Sequence, residues 1–174
     1  MSVKEKLDLL EKNYKAKKYN ECLPLIEELL TEKDLTDEQI ALLLFRKGVC
    51  FRESGQSEAE IAVYDQMINS YGDNKNPEVQ IRVAKAMVNK GITLGKSGDS
   101  VAEIAVYDQM INSYGDNKNP EVQIQVAIAM LYKGITLGQS GDVEAEIAVY
   151  DQMINSYGDN KNPEVQIRVA KAMV

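Results

Sequence analysis

The stretch AEIAVYDQMINSYGDNKNPEVQIRVAKAMV at residues 59–88 occurs again, without a change, at residues 145–174. Its first 23 residues occur a third time at residues 102–124. Successive copies start 43 residues apart, so one 43-residue unit accounts for most of the 174-residue chain. A repeat of this length is typical of stacked supersecondary units, each of which covers its apolar faces against the next unit. The sequence therefore predicts a stack of units and not a domain with one central core.

The first helix of the unit is predicted to begin at Asn76-Pro77-Glu78. Asparagine is a good helix N-cap, proline suits the first helical turn, and glutamate there complements the positive end of the helix dipole. Two adjacent apolar stripes follow at helical spacing, and Gly98 is expected to end the helix. Because both stripes need cover, we expect this helix to lie in a middle layer with neighbours on two sides.

A second helix is predicted from about Ser100 to Tyr114, and it too carries apolar side chains on two lines. Gly115 should stop it, and the polar stretch 116–120 should connect it to the next copy of the first helix. The unit is therefore helix, tight turn, helix, loop. The fold class that we predict is all-α, an α-solenoid of stacked antiparallel helix pairs.

The predicted organisation starts with a divergent, Lys- and Glu-rich capping helix pair at residues 1–33. Repeats follow at residues 34–76, 77–119 and 120–162, and residues 163–174 form the truncated first helix of a fourth repeat. This division predicts eight helices and a shortened ninth.

The end of the chain carries an expectation of its own, because Met173 and Val174 would be exposed where the next helix should lie. Such an apolar end is typical of a piece cut from a longer array, or of a face that self-associates head to tail.

The segment Asn89–Gly98, followed nine residues later by Tyr107, resembles the tetratricopeptide repeat (TPR). That family has a small residue midway in its first helix, an apolar residue three later, a turn glycine seven later, and an aromatic residue nine beyond the turn. The three matching quartets are Gly48, Phe51, Gly55, Tyr64; Gly91, Leu94, Gly98, Tyr107; and Gly134, Leu137, Gly141, Tyr150. The resemblance implies a right-handed superhelix.

Two features depart from the family pattern. The family unit has about 34 residues, so a 43-residue period places this chain with the long-period TPR-like repeats. In addition, Glu60, Glu103 and Glu146 stand where the family usually has a small alanine against the first helix. The second helix is therefore either rotated or shifted by one residue relative to the family pattern.

The resemblance also implies a concave groove lined by the first helix of each pair, and the copies differ in this region. The groove candidates are Arg46, Val49, Arg52, Lys85, Asn89, Ile92, Lys96, Ile128, Tyr132, Ile135 and Gln139. Their mixture of apolar and basic side chains would suit a peptide with apolar anchors and acidic flanks. The alternative is that they are ordinary half-exposed helix residues whose identity has drifted.

Charge and composition disfavour several classes of partner. The net charge is −7 and the basic residues are scattered, which argues against nucleic acid and against an anionic membrane. No stretch has the roughly 18 apolar residues of a membrane-spanning helix, and no signal peptide is recognisable, so a cytoplasmic location is expected. Cys22 and Cys50 are predicted to be reduced thiols.

Catalytic, metal and cofactor sites are not predicted. The stretch Gly91–Ser97 has the glycine, lysine and serine of a phosphate-binding loop, but it is one residue short and no strand precedes it. The repeated loop at Gly72–Pro77 is rich in oxygen ligands, but Lys75 occupies a position that a calcium loop needs for an acidic or amide side chain. With no histidine to act as a base, the sequence predicts a non-enzyme with no cofactor and no metal.

Two functions from different classes remain. The first is a protein–protein interaction scaffold that binds a peptide or protein segment in the concave groove. The second is a structural array that self-associates through the unfinished C-terminal repeat as a homo-oligomer.

Overall fold

The computed structural model describes residues 1–173, and every regular element in that range is an α-helix. The nine helices are α1 (Val3–Lys15), α2 (Tyr19–Leu30), α3 (Asp37–Glu53), α4 (Ser57–Tyr71), α5 (Pro77–Lys96), α6 (Ser100–Tyr114), α7 (Pro120–Gln139), α8 (Val143–Tyr157) and α9 (Pro163–Ala172). The all-α class and the number of helices in the described range are confirmed, while the handedness of the superhelix stays a prediction. Met173 is 67% exposed, as expected, and Val174 lies outside the described residues.

The helix boundaries follow the capping residues that the sequence singled out. The side chains of Asn119 and Asn162 accept hydrogen bonds from the backbone N–H two residues on, and a proline occupies the first turn of α7 and of α9. Asp142 caps α8 by accepting a hydrogen bond from the backbone N–H of Ala145, three residues on. Between the paired helices, Gly98 and Gly141 adopt φ angles of 84° and 85°, a left-handed conformation that only glycine adopts at little cost. Local sequence therefore determines where these helices begin and turn.

The contacts divide the chain into two units, Met1–Ala86 and Met87–Val174, which we call unit 1 and unit 2. In unit 1, consecutive helices from α1 to α4 pack against one another. Its core includes Leu10, Ile26 and Leu43 together with both cysteines, Cys22 and Cys50, which are fully buried free thiols. Burial raises the pKa of both thiols, and it raises that of Cys50 to about 12.

Unit 2 is arranged around α7, which packs against α6, α8 and α9. Val126, Ala127 and Ala129 of α7 are fully buried although they point in different directions around the helix, as a helix covered on more than one side requires. The predicted middle-layer position is thus confirmed for α7.

The two helices of each pair approach closely because a glycine faces a tyrosine. A Cβ atom built on Gly48, Gly91 or Gly134 would lie 2.3 to 2.4 Å from a ring carbon of the tyrosine that follows 16 residues later. No side chain fits in that space without moving the ring, because ordinary carbon contacts are 3.4 Å or longer. The glycine and aromatic positions of the quartets are therefore one packing contact, repeated three times.

Candidate functional site

The groove candidates of unit 1 differ in how much surface they offer. Val49 is 8% exposed and contributes mainly to packing. The guanidinium of Arg46 lies 2.5 Å from the Glu11 carboxylate and 4.9 Å from the centre of the Tyr14 ring, so it links α3 to α1. Arg52 is half-buried and pairs with Glu53 at 3.4 Å. Lys85, the remaining candidate in unit 1, is half-buried.

In unit 2, the structure brings five of the candidates together around one cavity of about 320 Å³. The cavity lies between the end of α5, the start of α6 and the second half of α7. The five candidates that line it are Ile92, Lys96, Tyr132, Ile135 and Gln139. Asn89 and Ile128 are half-buried and do not line it. We refer to this cavity as the α5–α7 cavity.

Tyr132 and Ile135 form the apolar surface at the mouth of the α5–α7 cavity. They are 39% and 37% exposed, and they lie side by side on one face of α7. The ring of Tyr132 stacks on that of the fully buried Tyr107, with centroids 6.3 Å apart and an angle of 19° between the planes. This contact fixes the position of the Tyr132 ring on the surface.

The acidic residue of the α5–α7 cavity is Glu103, which is only 6% exposed. A Cβ atom on Gly95 would lie 2.5 Å from its carboxylate, so the absence of a side chain at position 95 is what makes room for the glutamate. Gly138 and Glu146 repeat the arrangement, with 2.4 Å between the built Cβ and the carboxylate. This explains the departure from the family pattern at Glu103 and Glu146: the large residue on the second helix is accommodated by glycine on the first.

Burial raises the pKa of Glu103 above its ordinary value, and the hydroxyl groups of Thr136 and Tyr107 offset part of that rise. The Thr136 hydroxyl donates a hydrogen bond to the backbone carbonyl of Tyr132 at 3.0 Å. Because a hydroxyl has one hydrogen, Thr136 cannot make that bond and donate to Glu103 at the same time. The Tyr107 hydroxyl oxygen is buried and makes no well-formed hydrogen bond within the described residues. The carboxylate is therefore incompletely compensated by its neighbours.

A second cavity in unit 2, of about 350 Å³, lies near the ends of α6 and α8 and is lined by Gly115 and Ser156 among others. None of the groove candidates lines it, and the Tyr157 hydroxyl donates a hydrogen bond to the Gly115 carbonyl at 3.3 Å. The α5–α7 cavity is therefore the candidate site.

Besides Gly95, which has no side chain, three residues that line the cavity were not among the groove candidates: Ser100, Glu103 and Thr136. A signal for Glu103 was available, because a glycine precedes it by eight residues and the same spacing recurs at Gly138 and Glu146. No comparable signal exists for Ser100 or Thr136, which line the cavity only because α6 and α7 pack side by side.

The arrangement offers apolar contact surface and one buried acidic group. Within residues 1–173, no group of three or more His, Cys, Asp or Glu side chains is placed to hold a metal ion. In the same range, no helix combines the length and the apolar character needed to cross a membrane.

Comparison with known proteins bears on the first repeat. A family model described as "Tetratricopeptide repeat" matches residues 43–74, which include the packed pair Gly48 and Tyr64. A search of curated proteins gave no match to the chain. The matched contact recurs in two further copies, and the described residues form nine consecutive helices. The match at residues 43–74 and the helical architecture of the described residues together fit a tetratricopeptide-like repeat protein.

Proposed function

We propose that this protein is an interaction scaffold that binds a peptide or protein segment on the α5–α7 cavity and the apolar surface around it. Tetratricopeptide repeats generally mediate protein–protein interaction and are generally not enzymes. The observation that carries the proposal is the exposure of Tyr132 and Ile135 beside a cavity, since exposed aromatic and aliphatic side chains next to a pocket are typical anchors for a partner.

The stacking of Tyr132 on Tyr107 supports this proposal, because it holds the exposed ring in one position before a partner arrives. A preorganised aromatic side chain loses less conformational entropy on binding than a mobile one. The mixed lining, with Lys96 and Gln139 beside the apolar residues, would supply the polar contacts that orient a segment.

The test is a selection from a random peptide display library against the full chain. The selected peptides are then measured by fluorescence anisotropy against Tyr132→Ala and a control, Val101→Ala. Val101 is 82% exposed and does not line the cavity, so the control removes apolar surface elsewhere. We expect Tyr132→Ala to weaken binding at least about tenfold, the effect of a contact residue of 1.4 kcal/mol, and Val101→Ala to leave it unchanged. Peptides that bind all three proteins equally would refute the assignment of the site.

A second candidate function, self-association, is favoured by the apolar residues that α8 and α9 expose. Ile147 and Ile167 are 55% and 50% exposed, whereas Ile104 and Ile124 at the same positions of the preceding copy are only partly exposed. A second copy of the chain could cover these side chains. Sedimentation velocity over a range of concentrations tests this: self-association should diminish in Ile147→Ser, and a monomer at every concentration would refute it.

A further inference from the structure

The α5–α7 cavity has an apolar mouth and an acidic interior. Ile92 and Ile135 line it together with Glu103, whose carboxylate occupies the space that Gly95 leaves free. The volume of about 320 Å³ is at the low end for ligand pockets, so it suits one side chain better than a whole peptide.

Glu103 makes no ion pair within residues 1–173, although only 6% of its surface is exposed. Lys96 lines the same cavity, but it is exposed and is not paired with this carboxylate. A buried carboxylate without a cation is unfavourable, and two hydroxyl neighbours compensate it only in part. The cavity is therefore complementary to a positively charged group.

The first repeat has a different residue at the position of Gly95. The residue eight positions before Glu60 is Arg52, where the later copies have Gly95 and Gly138 before their glutamates. The repeat thus carries either a basic side chain of its own or a glycine at this position. At Gly95 the chain has no basic side chain at this position, so a cation beside Glu103 would come from another molecule.

We propose that the α5–α7 cavity receives the arginine side chain of a bound peptide, with Glu103 as its counter-ion. This inference rests on the peptide-binding function proposed above and names the chemistry of the partner. Arginine fits better than lysine, because its planar guanidinium pairs with a carboxylate through two hydrogen bonds and stacks on an aromatic face such as that of Tyr132. The partner therefore carries a basic anchor between apolar residues. The sequence-based expectation of a peptide with acidic flanks considered only the basic residues of the groove and not the Glu103 carboxylate.

The experiment uses two small probes, N-acetyl-arginine N-methylamide and its citrulline counterpart, which has nearly the same shape but no charge. Each is titrated into the ¹⁵N-labelled full chain, and amide shifts are followed for residues that line the cavity. We expect saturable shifts at Ile92, Gly95 and Thr136 with the arginine probe and at least about tenfold weaker binding of the citrulline probe. This comparison needs no variant, so it does not depend on how a substitution affects folding. Equal binding of the two probes, or no saturable shift at these residues, overturns the inference.

Three variants locate the charge. Glu103→Gln keeps the shape of the side chain and should reduce binding of the arginine probe to the level of the citrulline probe. Glu146→Gln is the matched control, since Glu146 lies against Gly138 in the same way but does not line the α5–α7 cavity. Lys96→Gln copies the residue that the next repeat has at position 139, and by removing a nearby positive charge it should strengthen binding several-fold. An undiminished response in folded Glu103→Gln overturns the inference.

The display-selected peptides separate failure of this inference from failure of the proposed function. Peptides that require Tyr132 but bind Glu103→Gln as tightly as the parent protein would refute the arginine anchor and leave the peptide-binding function intact. Arginine-probe binding that requires Glu103, with no selected peptide that requires Tyr132, would support the anchor and count against the proposed peptide surface.

Discussion

The contact between Gly91 and Tyr107 leads to a quantitative prediction for Gly91→Ala. The new Cβ atom would lie 2.4 Å from one ring carbon of Tyr107 and 2.6 Å from a second. Since ordinary contacts start at 3.4 Å, the ring has to move by about 1 Å. Tyr107 is fully buried and Tyr132 stacks on it, so the ring has no open space to enter.

The magnitude follows from two opposing terms. Overpacking of a buried site costs about 1 to 3 kcal/mol. The stacked rings of Tyr107 and Tyr132 resist movement, so Gly91→Ala falls toward the upper end of that range. Alanine returns roughly 0.5 to 1 kcal/mol because it is a better helix former than glycine. We therefore expect Gly91→Ala to lower the free energy of unfolding by about 2 kcal/mol.

A matched substitution, Gly134→Ala, tests the reasoning. Its Cβ atom would lie 2.3 Å from a ring carbon of Tyr150, so the clash is equally close. Tyr150 is only half-buried, however, and its ring can move outward. Gly134→Ala should therefore cost clearly less than Gly91→Ala. Both are measured by urea unfolding followed by circular dichroism at 222 nm, and a Gly91→Ala protein as stable as the parent, or less affected than Gly134→Ala, would refute this account.

Three further predictions follow from burial and capping. Burial raises the pKa of Glu103, so the folded state binds this proton more tightly than the unfolded state does. The stabilisation that results is complete below the ordinary pKa of 4.5 and is lost as the pH rises through the raised pKa of the folded state. The stability of the parent relative to Glu103→Gln, measured by urea unfolding, should therefore fall as the pH rises above 4.5, and a constant difference would contradict the shift. Cys22 and Cys50 are fully buried with raised pKa values, so Ellman's reagent should react slowly with the native protein and promptly in denaturant; prompt reaction of both thiols in the native protein would show that they are accessible. Asn119→Ala removes the N-cap of α7 and should lower the unfolding free energy by about 1 kcal/mol in the same urea assay, whereas an unchanged midpoint would mean that the cap contributes nothing.

The helices of this protein could be predicted from the sequence because their start and stop signals are local. The predicted second helix, Ser100 to Tyr114, has the bounds of α6. An asparagine precedes the proline that begins α7 and the one that begins α9, as the sequence predicted for this helix of the unit. Capping needs only residues within one turn of the helix end. The repeated unit made these signals easier to read, because each occurs in more than one copy.

The exposure of the groove candidates could not be predicted in the same way. Val49 and Ile135 hold the same position in different copies, yet Val49 is 8% exposed and Ile135 is 37% exposed. The family resemblance assigns both to one surface, whereas exposure depends on which side chains of neighbouring helices cover them. The packing of neighbouring helices brings five of the candidates to the α5–α7 cavity, whereas Val49 does not line it.

Glu103 and Glu146 illustrate the division between sequence and tertiary structure. Their surroundings in sequence are the same from one residue before each glutamate through the rest of the helix. The eight-residue spacing from a glycine already indicates that each of these two helix pairs makes room for a carboxylate. Only the packing of α6 against α7 buries Glu103 and brings Thr136 and Tyr132 to the same cavity, while Glu146 stays half-buried. The sequence by itself determined the repeat, the helices and the pairing of glycine with tyrosine or glutamate, because these depend on near neighbours. The tertiary structure decided which copy forms the α5–α7 cavity, since identical segments with different neighbours differ in burial and in charge compensation.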